Sequence, residues 1–164
     1  MDSLIRELVR TGREATSEEV ARIVERIAMA PFEPRRVGVR PKDQGREYLG
    51  RQLGAREGSL FYHLVKRVLF EKQWAYGTTE DEYLGDLRRA VRHQSARIAV
   101  YKRWGGIIAA VLSTTDVIPG IRRGELQLAY LLIVYSADRG IIVSGYQISN
   151  IGAASIPEDA LWLK

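Results

Sequence analysis

The chain has 164 residues, enough for one core-bearing unit, with charged (27%) and hydrophobic (46%) fractions ordinary for a globular protein. It has no cysteine and only two histidines, which excludes disulfides, thiolate chemistry and a zinc site, and no clustered acidic motif points to another metal. No cofactor is therefore expected, a reducing cytoplasmic setting fits, and a net charge of +5 with an isoelectric point near 9.6 directs attention to polyanionic partners.

The opening "MDSLIRELVR" lacks the apolar stretch of a signal peptide, and no apolar run reaches the roughly 18–20 residues of a membrane span, so no membrane partner is expected. A short helix is predicted over residues 2–10, with Ile5, Leu8 and Val9 on one side. Thr16 and Glu19 form a capping box for a firmer helix carrying Val20, Ile23, Val24 and Ile27, and the prolines of "APFEP" stop it. Residues 31–58, rich in proline, glycine and arginine, read as a long loop with a short strand near Glu47–Leu49. This segment interleaves Arg35, Arg36, Arg40, Lys42, Arg46, Arg51 and Arg56 with only Asp43 and Glu47. It is either a solvated basic loop or an arm that follows a phosphate backbone.

The stretch "SLFYHLVKRVLFEKQW" (59–74) reads as a helix with Ser59 as N-cap and an apolar stripe of Leu60, Phe61, Leu64, Val65, Val68 and Leu69. Helical spacing puts His63, Arg67, Phe70 and Trp74 together on its flank. A second helix follows, capped by Thr79 and Glu82, with Tyr83, Leu84, Leu87 and Val91 on its apolar side. From residue 96 the pattern alternates as in strands. Two hairpins, turning at "GG" and "ADRG", are predicted to form a four-stranded antiparallel meander. Helices first and a sheet afterwards define an α+β class. The expected division is a helical and basic extension over residues 1–56 and an α+β domain over 57–164.

The helical "HLVKRVLFEKQW", the helix opening "TTEDEYLGDLRRAV" and the strand pair "LLIVYSADRGIIVSGYQ", in that order, carry a resemblance. Over about residues 57–150 the chain resembles the phage- and bacterium-associated toxin-like ribonucleases of the superfamily that groups barnase, EndoU, colicin and RelE-type toxins. The resemblance implies metal-independent endoribonuclease activity, in which a ribose 2′-hydroxyl attacks the adjacent phosphate. It further implies RNA as substrate and a cognate antitoxin or inhibitor protein as partner.

That chemistry needs a proton acceptor, a proton donor and cations facing the pentavalent phosphorus. On that reading His63, Arg67 and Tyr146 are the catalytic candidates. Lys66, Trp74, Lys102, Arg103, Tyr135, Arg139 and Gln147, together with Arg35, Arg36 and Arg40 of the basic segment, are the RNA-binding candidates. Structural readings stand beside these. His63 could be a core histidine bonded to a carbonyl, Trp74 a packing residue, and Arg67–Glu71 a helix salt bridge. The alternative function is a nucleic-acid-binding or protein-interaction domain without catalysis.

Overall fold

The computed structural model describes residues 2–164. Helix α1 (Ser3–Thr11) starts at Asp2, whose carboxylate accepts the Ile5 N–H, and ends at Gly12, whose left-handed φ of 69° lets its N–H reach the Leu8 carbonyl. Helix α2 (Ser17–Met29) carries the Thr16–Glu19 capping box in both directions. Asp2 also ties α1 to its surroundings, donating its N–H to the Ala137 carbonyl and accepting from Arg26 on α2.

The segment read as a long loop is instead organised by short antiparallel pairings. Strand β1 (Arg36–Gly38) pairs with β4 (Arg56–Gly58), and between them β2 (Glu47–Tyr48) pairs with β3 (Arg51–Gln52). A buried Tyr48 anchors the inner hairpin, its hydroxyl donating to the Thr78 carbonyl at 2.6 Å. Local pairing supplies the backbone partners that a 28-residue stretch without sustained periodicity did not advertise.

Helix α3 (Ser59–Val65) has Gly58, not Ser59, at its N-cap and passes into a π-helical turn over Lys66–Phe70, where the Glu71 N–H bonds the Lys66 carbonyl. The helix therefore stops short of Trp74. Helix α4 (Glu80–Arg92) has the Thr79–Glu82 capping box, acids in its first turn and arginines in its last, as its dipole favours.

The sheet contains β5 (Arg97–Arg103), β6 (Gly106–Thr114), β7 (Tyr130–Ser136), β8 (Ile141–Ile148) and β9 (Leu161–Trp162), in the order β8-β7-β6-β5-β9, every pair antiparallel. The α+β class holds, but the sheet has five strands where four were expected. The fifth comes from the tail, which pairs with the outer edge of β5. A four-residue helix, α5 (Pro119–Arg122), lies in the β6–β7 connection.

Strand alternation sorts the sheet into two faces. Ile98, Val100, Ala109, Val111, Leu131, Ile133 and Tyr135 join Ile5, Leu8, Ile23, Ile27, Leu64, Tyr83 and Leu87 in one continuous core. Residues from 1–56 and from 57–164 both contribute to this core. Gly145 permits the closest approach on this side: a Cβ there would meet Leu87 Cδ2 at 2.5 Å. On the opposite face, Tyr101, Ile108, Leu112, Leu132 and Ile148 form a smaller cluster, against which the tail residues Ile151, Ala154, Ile156 and Ala160 pack. No helix among the described residues is long and apolar enough to cross a membrane.

Candidate nucleic-acid interface

The tail leaves part of the second face uncovered, at the end of the sheet where the β5–β6 turn and the β7–β8 turn lie side by side. An open cleft of about 650 Å³ occupies this place. Ile108, Val134 and Val143 give it apolar lining, while Tyr146, Ser144 and Ser136 add polar atoms. Arg35, Arg103 and Arg139 bring guanidinium groups, and Trp104 stands at the β5–β6 turn. A bulge between Val134 and Tyr135 resets the register here, so that Val134 faces Ser144 while Tyr135 faces Ile142.

The arginines are held differently. Arg103 donates to the Ser155 carbonyl at 2.6 Å, and its guanidinium lies 5.1 Å from the Tyr101 ring and 5.6 Å from that of Trp104. Arg139 makes a two-pronged ion pair with Glu33, which also accepts from Arg35 Nε at 2.7 Å. Glu33 is only 6% exposed. Arg139 foremost, then Arg35 and its backbone N–H, hold the Glu33 carboxyl down at about 2 against the opposing effect of burial. One carboxylate shared by two guanidiniums leaves one positive charge uncompensated, and Arg103 adds a second. Asp138, also at the cleft, is answered by Arg6 and by the Ile107 N–H.

Arg67 lies at the back of this region, where the π turn delivers it to the edge of β8. It donates to the Gly145 carbonyl at 2.9 Å, to Glu71 at 2.8 Å and to Ser144 Oγ at 3.2 Å, and its guanidinium lies 5.3 Å from the Tyr146 ring. Arg67 is buried, so its charge is largely spent on these partners.

Of the residues singled out from the sequence, the cleft gathers Arg35, Arg103, Arg139 and Tyr146, with Arg67 touching it through Ser144 and Tyr146. His63 does not line it. The His63 ring meets Phe32 edge-to-face at 5.2 Å, and its Nδ1 lies 2.8 Å from the Ser59 carbonyl. A carbonyl only accepts, so Nδ1 carries the hydrogen and Nε2 is the bare nitrogen. Burial pushes the imidazole down to about 4, helped by the charges of Lys66 and Arg67 and opposed by the Ser59 carbonyl. The histidine is therefore neutral at pH 7 and has no proton to donate from Nε2.

The remaining candidates sit apart from the cleft. Trp74 is in the core, donating to Asp86 at 3.0 Å, and Tyr135 is buried under the helices. Gln147 is buried on the helix side, where its side-chain amide bonds the Gln73 and Leu126 carbonyls and the Leu128 N–H. These three are packing and bracing residues: Trp74 lies beyond the end of the helix, where the chain turns into the core, and alternation puts Tyr135 and Gln147 on the helix-covered face. Lys102 lies on that side too, beside Arg6, Val9 and Arg10 of α1. Lys66 stacks on Tyr62 at 4.6 Å. Arg36 donates to the Arg56 carbonyl, and Arg40 pairs with Asp43 at 2.8 Å, so neither reaches the cleft.

Sequence reasoning missed Glu33 and Trp104. Glu33 was hidden in a proline-flanked helix stop, where nothing in the spacing signals a buried carboxylate. Trp104 was read as the end of its strand, with the turn at Gly105–Gly106; the pairing of Arg103 with Gly106 instead puts Trp104 and Gly105 in the loop, a place that ordinarily takes asparagine or glycine.

The fold and this cleft together define an α+β protein with an arginine-rimmed, apolar-floored groove on the partly open face of an antiparallel sheet. Compared with models of protein families, with curated proteins and with solved structures, the chain matches none.

Proposed function

We propose that the protein binds single-stranded RNA in this cleft, arginines holding phosphates and aromatic rings receiving bases. The observation that carries the proposal is the convergence of Arg35, Arg103 and Arg139 with Tyr146 and Trp104 around an apolar floor. Cations with flat apolar surfaces suit a chain that alternates phosphates and bases, and aromatic stacking tolerates any base. The test is binding of a labelled single-stranded oligoribonucleotide measured across salt concentrations. Affinity should fall with rising salt, and Arg103→Gln with Arg139→Gln should flatten that dependence by up to about two counterions' worth of slope. An unchanged slope would reject the cleft as the phosphate site.

Metal-independent cleavage of that RNA is the second reading, favoured by the Arg67–Tyr146 pair. A phenol beside a guanidinium can hand a proton to the departing 5′-oxygen while the 2′-oxygen attacks phosphorus, with arginines facing the charge that develops. The 2′-hydroxyl proton passes to solvent water, because His63 lies outside the cleft and cannot reach that hydroxyl. Incubation with mixed RNA in EDTA separates cutting from binding. Cleavage should leave 2′,3′-cyclic phosphate and 5′-hydroxyl ends and drop about a hundredfold in Tyr146→Phe. Intact RNA bound at the cleft would leave the protein as a binder, and a cognate inhibitor would then have no activity to restrain.

A further inference from the structure

The β5–β6 turn carries an unusual residue. Arg103 pairs with Gly106, so Trp104 and Gly105 alone form the loop, with φ of 52° and 74°. Both angles lie in the left-handed region, the geometry of a two-residue turn that favours Asn-Gly. Gly105 meets this demand without a side chain. Trp104 does not, because a Cβ-bearing residue of its bulk is strained there. Nor does burial compensate, since the side chain is 84% exposed, the most exposed of the large apolar side chains. Packing therefore gives no reason for an indole at this tip.

Its position does give one. The tip borders the cleft, and Arg103 next to it lies against the indole at 5.6 Å. The tip is also firmly placed: Gly106 is so close to Asp138 that a Cβ there would collide with the carboxylate, which binds the Ile107 N–H. An exposed flat ring on a fixed support, beside guanidinium groups, is a stacking platform at the mouth of a phosphate site.

We infer that Trp104 stacks an unpaired base of a nucleic acid seated in the cleft, and so makes the site select single strands over duplexes. This rests on the RNA-binding reading. A base inside a duplex has both faces covered by its neighbours and offers none to an indole, whereas an unpaired base can splay out onto it.

The experiment compares three ligands: a single-stranded oligoribonucleotide, the same phosphodiester chain lacking bases, and a duplex of equal length. Wild-type protein should bind the base-bearing strand about tenfold more tightly than the other two, with quenching of tryptophan fluorescence on binding. Trp104→Asn suits the left-handed turn, so it should keep or raise the melting temperature. It should lower affinity for the base-bearing strand several-fold towards that for the baseless one, with Tyr146 keeping the remainder, leave the latter unchanged, and abolish most of the quenching. Trp104→Phe should retain part of the preference. Equal wild-type affinity for base-bearing and baseless strands would overturn the inference while leaving phosphate binding intact, whereas failure to bind either would overturn the RNA reading with it. A Trp104→Asn protein that loses stability together with affinity would make the indole a packing residue and also overturn the assignment.

Discussion

The two faces of the sheet treat the same residue types in opposite ways. On the helix-covered face, Arg67 is buried and bonded to the Gly145 carbonyl, Ser144 and Glu71, and Gln147 has its side-chain amide fully engaged. On the other face, Arg103 is held by one carbonyl, and Trp104 extends into solvent from a strained turn. A buried polar group must find every partner inside the fold, so its chemistry is consumed by structure. Partly exposed groups keep unsatisfied valence for a ligand. The contrast teaches that residue type alone does not nominate a site; the face does.

The strongest challenge to this contrast is removal of residues 2–30. Ile5, Leu8, Ile23 and Ile27 are fully or almost fully buried, so the shortened chain should aggregate or fail to melt cooperatively, as read by calorimetry. A folded, RNA-binding remainder would show that the helices only decorate the sheet. Next in size, Leu87→Ala should cost about 3 kcal/mol in chemical denaturation, through the cavity left beneath β8. Arg67→Met should cost about 1–2 kcal/mol, because it strips one of two donors from the Gly145 carbonyl, which keeps the Tyr83 hydroxyl, and one from the half-buried Ser144 hydroxyl.

Smaller effects should appear in the acid limb of stability. Unfolded His63 titrates near about 6.5 and the folded residue near about 4. The unfolded chain thus binds more protons between these values, and stability should fall as pH drops from about 6.5 towards about 4. His63→Gln should remove that part of the slope. Glu33, at about 2 when folded, acts lower: stability present above its ordinary carboxylate range should be lost as pH falls towards about 2, and Glu33→Gln should abolish that loss. Denaturant midpoints measured from pH 7 to pH 3 would separate the two. A pH-independent difference between wild type and His63→Gln would place His63 in water rather than in the fold. Smallest of all, Arg103→Gln should shift stability by less than about 0.5 kcal/mol while weakening RNA binding.

Much of the scaffold was legible in the chain. Both capping boxes, the α1 stripe and the two hairpins depend on neighbours within a few residues, and such local rules survive folding. Long-range pairing was not legible. Nothing in "NIGAASIPEDALWLK" announces that Leu161 and Trp162 extend the sheet beside β5, and nothing in residues 31–58 announces that Arg36 meets Gly58. The candidate site was half visible for the same reason. Alternation within a strand shows that Tyr146 and Gln147 point apart, but which face lies open depends on where distant helices pack. Arg67 was placed on the flank of a regular helix, yet it sits in a π turn and its burial comes from that turn and from β8, some 77 residues away. Of the two readings of His63, the carbonyl-bonded histidine is the one the structure shows, and spacing alone did not decide between them because it said nothing of Phe32.

The most direct measurement of the central claim is a residue-resolved NMR titration with a short single-stranded oligoribonucleotide. Amide shifts on the partly open face, around Arg103–Ile108, Val134–Arg139 and Ser144–Tyr146, should move together with one salt-sensitive affinity, while those of Arg36–Arg40, His63 and Lys102 stay in place. Shifts confined to Arg36–Arg40 or centred on His63, with the cleft unmoved, would contradict the account.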